Sequence, residues 1–471
     1  MAEAGSGAGG GATQEGEFSG RLRRVVSTPL LLAFVVGNIV GGGIYAAPGE
    51  VAGIVGGGIW LPFLIAFIVA ILTAFSYAEL VSKYPGAGGA ALFVNRAYGI
   101  PLLSFIIAFA VMSSGLSSAT GLSVAFGGDY LSALTGGTFE GVGNISIAVV
   151  FLLILALINY LGIRGSATIN AVLTILSVAG LVIIVLIGLL AIVTGQVNFG
   201  GPFTFETSGS EGMGFALFSG AVLAFYAFIG FEDSANIAEE TRNPSQVYPK
   251  ALFGGLLTAA SLYLLVVIIT ALVVPLGVLA GSDAALLEVV EAGPIPIPPG
   301  LFSIAALVGI TNTALINLII ASRVIYGMGR EGVLQSAFGR VDQNRGTPIV
   351  AIAFTTAVAL VLLVASGDFV DLAGTTTLLL LAVFALVNIT VLVLRRNRVR
   401  HSHFRAPSAI PVLGSVAALV LLSQQDAGDW IRAIILISIG LVLYALNLVL
   451  KRNSGEGDPR SAREQRPSRV R

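Results

Sequence analysis

The run Gly37-Asn38-Ile39-Val40-Gly41-Gly42-Gly43-Ile44-Tyr45 lies inside an otherwise apolar stretch, residues 30–54. A second run, Phe225-Tyr226-Ala227-Phe228-Ile229-Gly230-Phe231-Glu232-Asp233-Ser234-Ala235-Asn236, interrupts another, residues 215–237. Each glycine costs a helix interior about 1 kcal/mol relative to alanine, so three in a row favour unwinding. Lipid has no partner for the backbone groups that unwinding releases. Interrupted helices at corresponding positions of two halves therefore predict a solute site near the middle of a bilayer.

The composition agrees with a chain that sits in lipid. Of 471 residues, 56% are hydrophobic and 11% charged, with mean hydropathy +0.94; a soluble domain carries roughly 25% charged residues. There are no cysteines, which excludes disulfides and thiolate chemistry. The two histidines, His401 and His403, fall in one polar loop and leave no intramembrane imidazole for a metal or a base. The net charge is zero, so no nucleic-acid footprint is implied. Residues 1–27 and 451–471 read as cytoplasmic tails, the first disordered, rich in Gly, Ala and Glu, and lacking the pattern of a signal peptide.

About 20 apolar residues suffice to cross the hydrocarbon. Twelve such spans are predicted, at 28–56, 59–82, 101–126, 144–161, 168–194, 212–238, 249–274, 302–329, 348–366, 369–394, 409–424 and 430–450. With the N-terminus inside, nearly every Lys and Arg falls on the inner side, from Arg21 through Lys83, Arg164, Lys250 and Arg345 to the C-terminal set. The outer side receives Arg432 and carries acids such as Asp129, Glu140, Glu206, Glu211, Asp283 and Asp368. This is the positive-inside pattern, and one missed span would reverse every later loop. The expected fold is thus all-α and integral to the membrane. Two five-span halves of opposite orientation would form a ten-helix core at 28–394, followed by a loop and two trailing helices at 395–450. Spans 1 and 6 are then the broken first members of the two halves.

Unwinding at Gly41-Gly42-Gly43 frees the amides of Gly42, Gly43 and Ile44 at the N-terminus of the outer half of span 1. The positive end of the helix dipole stands behind them, and without a Cβ an anion can approach the backbone. A carboxylate is the natural ligand; close helix packing is the plainer use of such glycines. Span 6 runs the other way and presents carbonyls, those of Phe228 and Ile229, which suit an ammonium group. Glu232 and Asp233 are acids at membrane depth, where ionisable groups are usually functional. Glu232 is a candidate for coupling or gating. Glu239 and Glu240 are candidates for an inner gate, with a solvated patch as the plainer reading.

These residues resemble the amino acid–polyamine–organocation permeases. The likeness rests on a set in order: Gly41-Gly42-Gly43-Ile44-Tyr45; Ser76-Tyr77-Ala78-Glu79-Leu80 with Tyr84-Pro85-Gly86-Ala87-Gly88-Gly89-Ala90; Phe228-Ile229-Gly230-Phe231-Glu232 with Ala238-Glu239-Glu240-Thr241-Arg242-Asn243-Pro244; and Ala321-Ser322-Arg323-Val324-Ile325-Tyr326-Gly327-Met328-Gly329-Arg330-Glu331-Gly332. The resemblance implies the leucine-transporter fold, with spans 1 and 6 unwound around the substrate. It places carboxylate contacts on Gly41, Gly42 and Gly43, amine contacts on Val40, Phe228 and Ile229, and an aromatic lid at Tyr226. Ser113 and Ser114 on span 3, Asn312, Thr313 and Asn317 on span 8, and Thr375 and Thr376 on span 10 are further pocket candidates. For each of these taken singly, a helix–helix hydrogen bond is the default reading. Where many proton-coupled relatives carry a lysine on span 5, this chain has Ser177. Sodium coupling, proton coupling through Glu232, exchange and uncoupled transport all stay open.

The expected role is secondary transport of an amino acid, with a neutral side chain favoured, across the cytoplasmic membrane; no cofactor is expected beyond a coupling Na+ or H+. Sensing without transport is the alternative. A membrane enzyme fails on inventory, because there is no nucleophile–base pair or metal cluster. No phosphate-binding loop is present for ATP-driven transport within the chain.

Overall fold

The computed structural model describes residues 26–453, apart from 87, 140, 163–166, 208–211 and 343–344. The tails at 1–25 and 454–471, and the charges assigned to Arg21, Arg164, Glu140 and Glu211, lie outside the described residues. Among the described residues there are helices and no strands, with isolated bridges at Val26–Thr241 and Gly56–Phe205.

In chain order the helices are α1 Thr28–Ile39, α2 Gly43–Val55, α3 Trp60–Lys83, α4 Gly89–Tyr98, α5 Pro101–Phe126, α6 Asp129–Thr135, α7 Asn144–Leu161, α8 Ala167–Thr194 and α9 Met213–Tyr226. They continue with α10 Pro244–Val273, α11 Leu276–Leu279, α12 Ala285–Ala292, α13 Pro299–Arg330, α14 Ile349–Ser366, α15 Phe369–Leu394, α16 Ala409–Leu422 and α17 Ala427–Asn453. A 3-10 segment, Phe231–Glu240, follows α9. Among the described residues ten helices are long and apolar enough to cross a membrane, counting α9 with its 3-10 continuation as Met213–Glu240, and α1 and α2 pass the same measure as one span bent by 43°. The expected eleventh span is the 14-residue α16. At 1.5 Å per residue it reaches about 21 Å, short of a hydrocarbon core of about 30 Å.

Local chemistry sets the helix ends. Pro101, Pro244 and Pro299 open α5, α10 and α13, where a missing N–H costs nothing and φ is already helical. The expected start of span 7 at residue 249 is corrected to Pro244, preceded by Asn243 in the left-handed region at φ 45°. Gly162 and Gly367 end α7 and α14 with left-handed turns. Asp368 caps α15 by accepting N–H bonds from Val370 and Asp371. The loop helices α4, α6 and α12 are too short to register as apolar spans.

In the centre α5 lies against α13 and α15, while α1 packs on α10 and α2 on α9. At the face where α1 begins, here the tail face, Glu79 of α3 forms a bidentate pair with Arg395 (2.8 and 2.6 Å) just beyond α15. The same carboxylate accepts the Ala406 N–H, and Lys83 donates to the Leu394 carbonyl at 2.6 Å. At the opposite face Arg432 of α17 bridges Asp371 and Asp429. The Val26–Thr241 bridge joins the chain before α1 to the end of the 3-10 segment.

Candidate functional site

α1 stops because its amides find other partners. Val40 N–H still reaches back to Val36 O at 2.7 Å, but Gly41 N–H turns onto Ile39 O at 2.8 Å. Gly42 N–H donates to Thr313 Oγ1 on α13 at 3.0 Å, and Thr313 donates its own proton to Gly309 O. Ile39 O accepts the Tyr263 hydroxyl of α10 at 2.7 Å. Gly43 and Ile44, the first residues of α2, keep amides with no protein acceptor among the described residues. The three glycines also have no room for a side chain. A Cβ on Gly41 would meet Thr313 Oγ1; on Gly42 it would lie 2.6 Å from Leu122 Cδ2, and on Gly43 2.9 Å from Ala227 Cα. The packing use and the backbone-exposing use of the glycines therefore coexist.

The second break begins where α9 tightens. The amides of Ala227, Phe228 and Ile229 donate three residues back, to Ala224, Phe225 and Tyr226. Gly230 then takes φ 119°, a conformation that favours glycine, and a Cβ there would lie 2.5 Å from Asn38 O. The two breaks thus touch. Glu232 accepts the Gly230 N–H through Oε2 at 2.9 Å, so its carboxylate closes the turn. Among the described residues no backbone N–H donates to the carbonyls of Phe228 or Ile229.

Between the breaks lies a cavity of about 60 Å³. A water needs about 10–15 Å³ on this scale, so the space holds a handful of waters or a small solute. Of the residues expected from sequence, Gly41, Gly43, Ser114, Tyr226, Ile229, Gly230, Glu232, Asn312, Thr313, Asn317 and Thr376 line it. The others sit elsewhere. Val40, Gly42 and Ile44 are buried behind the first break. The ring of Phe228 packs on Phe63, Phe67 and Tyr263, away from the cavity. Thr375 points to the opposite-face cluster, where Arg432 Nε donates to it at 2.9 Å; consecutive residues diverge by about 100° on a helix, so it and Thr376 cannot both face inward. Ser113 and Ser114 divide in the same way, with Ser113 Oγ buried and unpartnered. Ser177 lies behind α2, its carbonyl accepting the Tyr45 hydroxyl. Glu239 and Glu240 stand at the tail face, where Glu240 O accepts Val26 N–H at 3.0 Å.

Ser118 was not anticipated, yet it joins two of the lining helices to α5. Its Oγ is 2.9 Å from the Tyr226 hydroxyl and accepts from Asn317 Nδ2 at 3.0 Å. Tyr226 also meets Phe369 edge-on at 5.5 Å. The signal was available: Ser118 follows Ser114 by one helical turn on the same face. Asn38 and Asp233, likewise unanticipated as lining, complete the tail-side end. Two carboxylates and no Lys, Arg or His line the cavity.

A sequence model described as amino acid permease matches residues 26–454. The chain is 30% identical to a branched-chain amino acid permease of Bacillus subtilis over 457 residues, covering 92% of this chain and 95% of that relative. A methylthioribose transporter of the same organism is 27% identical, covering 90% and 93%. A chloroplastic cationic amino acid transporter of Arabidopsis thaliana is 29% identical over 66% of this chain and 56% of its own length.

Proposed function

Because this chain belongs to the amino acid permease family, we propose that it carries a neutral amino acid across the cytoplasmic membrane as a secondary transporter working by alternating access. The observation that carries this reading is the pairing of unfilled groups across one small cavity. Gly43, whose amide has no protein acceptor among the described residues, lines it at the first break, and Ile229, whose carbonyl accepts no backbone N–H among them, lines it at the second. A carboxylate held at Gly43 and an ammonium at Ile229 leave the side chain to the wall of Val111, Met112 and Ile316. The proposal includes twelve spans, with α16 as the eleventh, an inverted five-plus-five repeat beginning at the two breaks, and both termini in the cytoplasm.

A cationic substrate is the second reading, favoured by Glu232 and Asp233 at the tail-side end of the cavity. Against it, Glu232 is already engaged by Gly230 N–H. A thermal-shift screen of the twenty amino acids and common polyamines separates the two, since a ligand stabilises by its concentration over its dissociation constant. Stabilisation by Arg or Lys and not by Val, Leu or Ala would overturn the neutral assignment. Uptake into proteoliposomes with imposed Na+ or H+ gradients reads the coupling. Uptake that responds to neither gradient but to counter-substrate identifies an exchanger, and binding without any flux identifies a sensor.

A further inference from the structure

A second cavity, about 430 Å³, opens at the tail face between the start of α10 and the linker from α15 to α16. Its polar rim is Ser245, Gln246, Lys250 and His403, and its floor is Pro249, Phe253 and Phe404. The walls are built. Ser82 at the end of α3 accepts the Phe404 N–H on Oγ (3.1 Å), its carbonyl takes the Ser245 hydroxyl (3.0 Å), and it faces the His401 ring (3.3 Å). Phe75 of α3 packs against Phe253 at 4.6 Å and against Phe404 at 6.0 Å. The proposed transport path does not use this space.

Charge and position together define an occupant. The linker 395–408 carries Arg395, Arg396, Arg398, Arg400 and Arg405 with both histidines, and no Asp or Glu. α10 contains no acid either. Among the described residues no carboxylate pairs with Lys250, whereas Arg395 is held by Glu79. Below the rim, the outward stripe of α10 runs from exposed Lys250 through Phe253 to Leu257 (51% exposed) and Leu265 (50%). On α3 the stripe Ile68, Leu72 and Phe75 runs alongside, with Ile68 45% exposed. A basic rim above an apolar groove in a membrane protein matches a phosphate headgroup with acyl chains beneath it.

We propose that this cavity is a site for an anionic phospholipid. Lys250 and His403 hold the phosphate, Phe253 and Phe404 take the glycerol end, and the acyl chains lie along Leu257 and Ile68. The occupant pins the α15–α16 linker to the start of α10.

Native mass spectrometry of the detergent-purified full chain with added phosphatidylglycerol or phosphatidylcholine tests this. We expect phosphatidylglycerol to bind in preference, and Lys250→Gln combined with His403→Gln to weaken it about fivefold or more, the scale of a basic side chain at a membrane surface. Arg340→Gln, an exposed arginine of the α13–α14 linker, serves as the charge control and is expected to bind as the parent does. Equal binding of the two lipids, an unchanged double variant, or an equal loss in the control overturns the site. Displacement of the lipid by millimolar inorganic phosphate overturns the lipid assignment in favour of a free anion. Unaltered elution volume and unfolding temperature of the lipid-free double variant exclude misfolding as the cause of any loss.

Discussion

Thr313 has an unusual position: it is both a wall of the cavity and the acceptor that holds the first break open. Thr313→Val keeps the shape but leaves Gly42 N–H without its partner. An unsatisfied buried donor costs about 1–3 kcal/mol, so unfolding temperature and uptake should both fall, and Thr313→Ser should restore them. Gly42→Val has no room behind the break, its Cβ lying 2.6 Å from Leu122 Cδ2, and would push the broken segment that carries Gly43. Amino-acid binding by calorimetry is expected to drop at least tenfold while the protein still inserts; normal binding would sink the carboxylate site. Gly230→Ala forces alanine into φ 119°, a strain of about 1–3 kcal/mol, readable as a lower thermal midpoint. The sequence made the glycines legible because helix propensity is local. It did not reveal that the Gly42 amide is consumed by Thr313, because partners 271 residues apart in the chain leave no local trace.

Among the elements, the bond between α3 and the end of α15 invites measurement. Glu79 is nearly sealed from solvent and Arg395 is 11% exposed at the side chain. Removing one member of such a pair strands the other, at a cost of about 3–5 kcal/mol. Arg395→Ala should therefore lower stability sharply, and Arg396→Ala, an exposed neighbour, should not. Chemical denaturation in detergent reads both. Hydropathy set most long helices to within a few residues, since a span is a property of contiguous sequence. Two features escaped it. The second half of span 6 is 3-10 rather than α, a difference of hydrogen-bond register that composition does not encode. α4 and α12, short and amphipathic, lie in what hydropathy reads as loops.

For the whole molecule, the native absence of cysteine makes topology directly testable. Arg398→Cys lies in the tail-face linker, and Asp426→Cys lies in the short turn before α17. In intact cells an impermeant maleimide is expected to label the second and spare the first until the membrane is opened. The reverse pattern would invert the proposed orientation. Charge asymmetry in the sequence suggested that arrangement, because insertion responds to Lys and Arg near helix ends. The cavity was legible only in outline. Which face of α5 or α15 turns inward depends on how α5, α13 and α15 rotate against one another, and only three-dimensional packing sets that rotation.

The short ladder at Val26 carries a last consequence. Val26 gives its amide to Glu240 and its carbonyl accepts the Arg242 amide, so main chain staples the entrance of the first broken span to the exit of the second. Any path that widens between these two segments must first part those bonds, whatever solute is waiting. In the proposed cycle, part of the cost of that parting falls on peptide groups, which substitution of a side chain leaves in place.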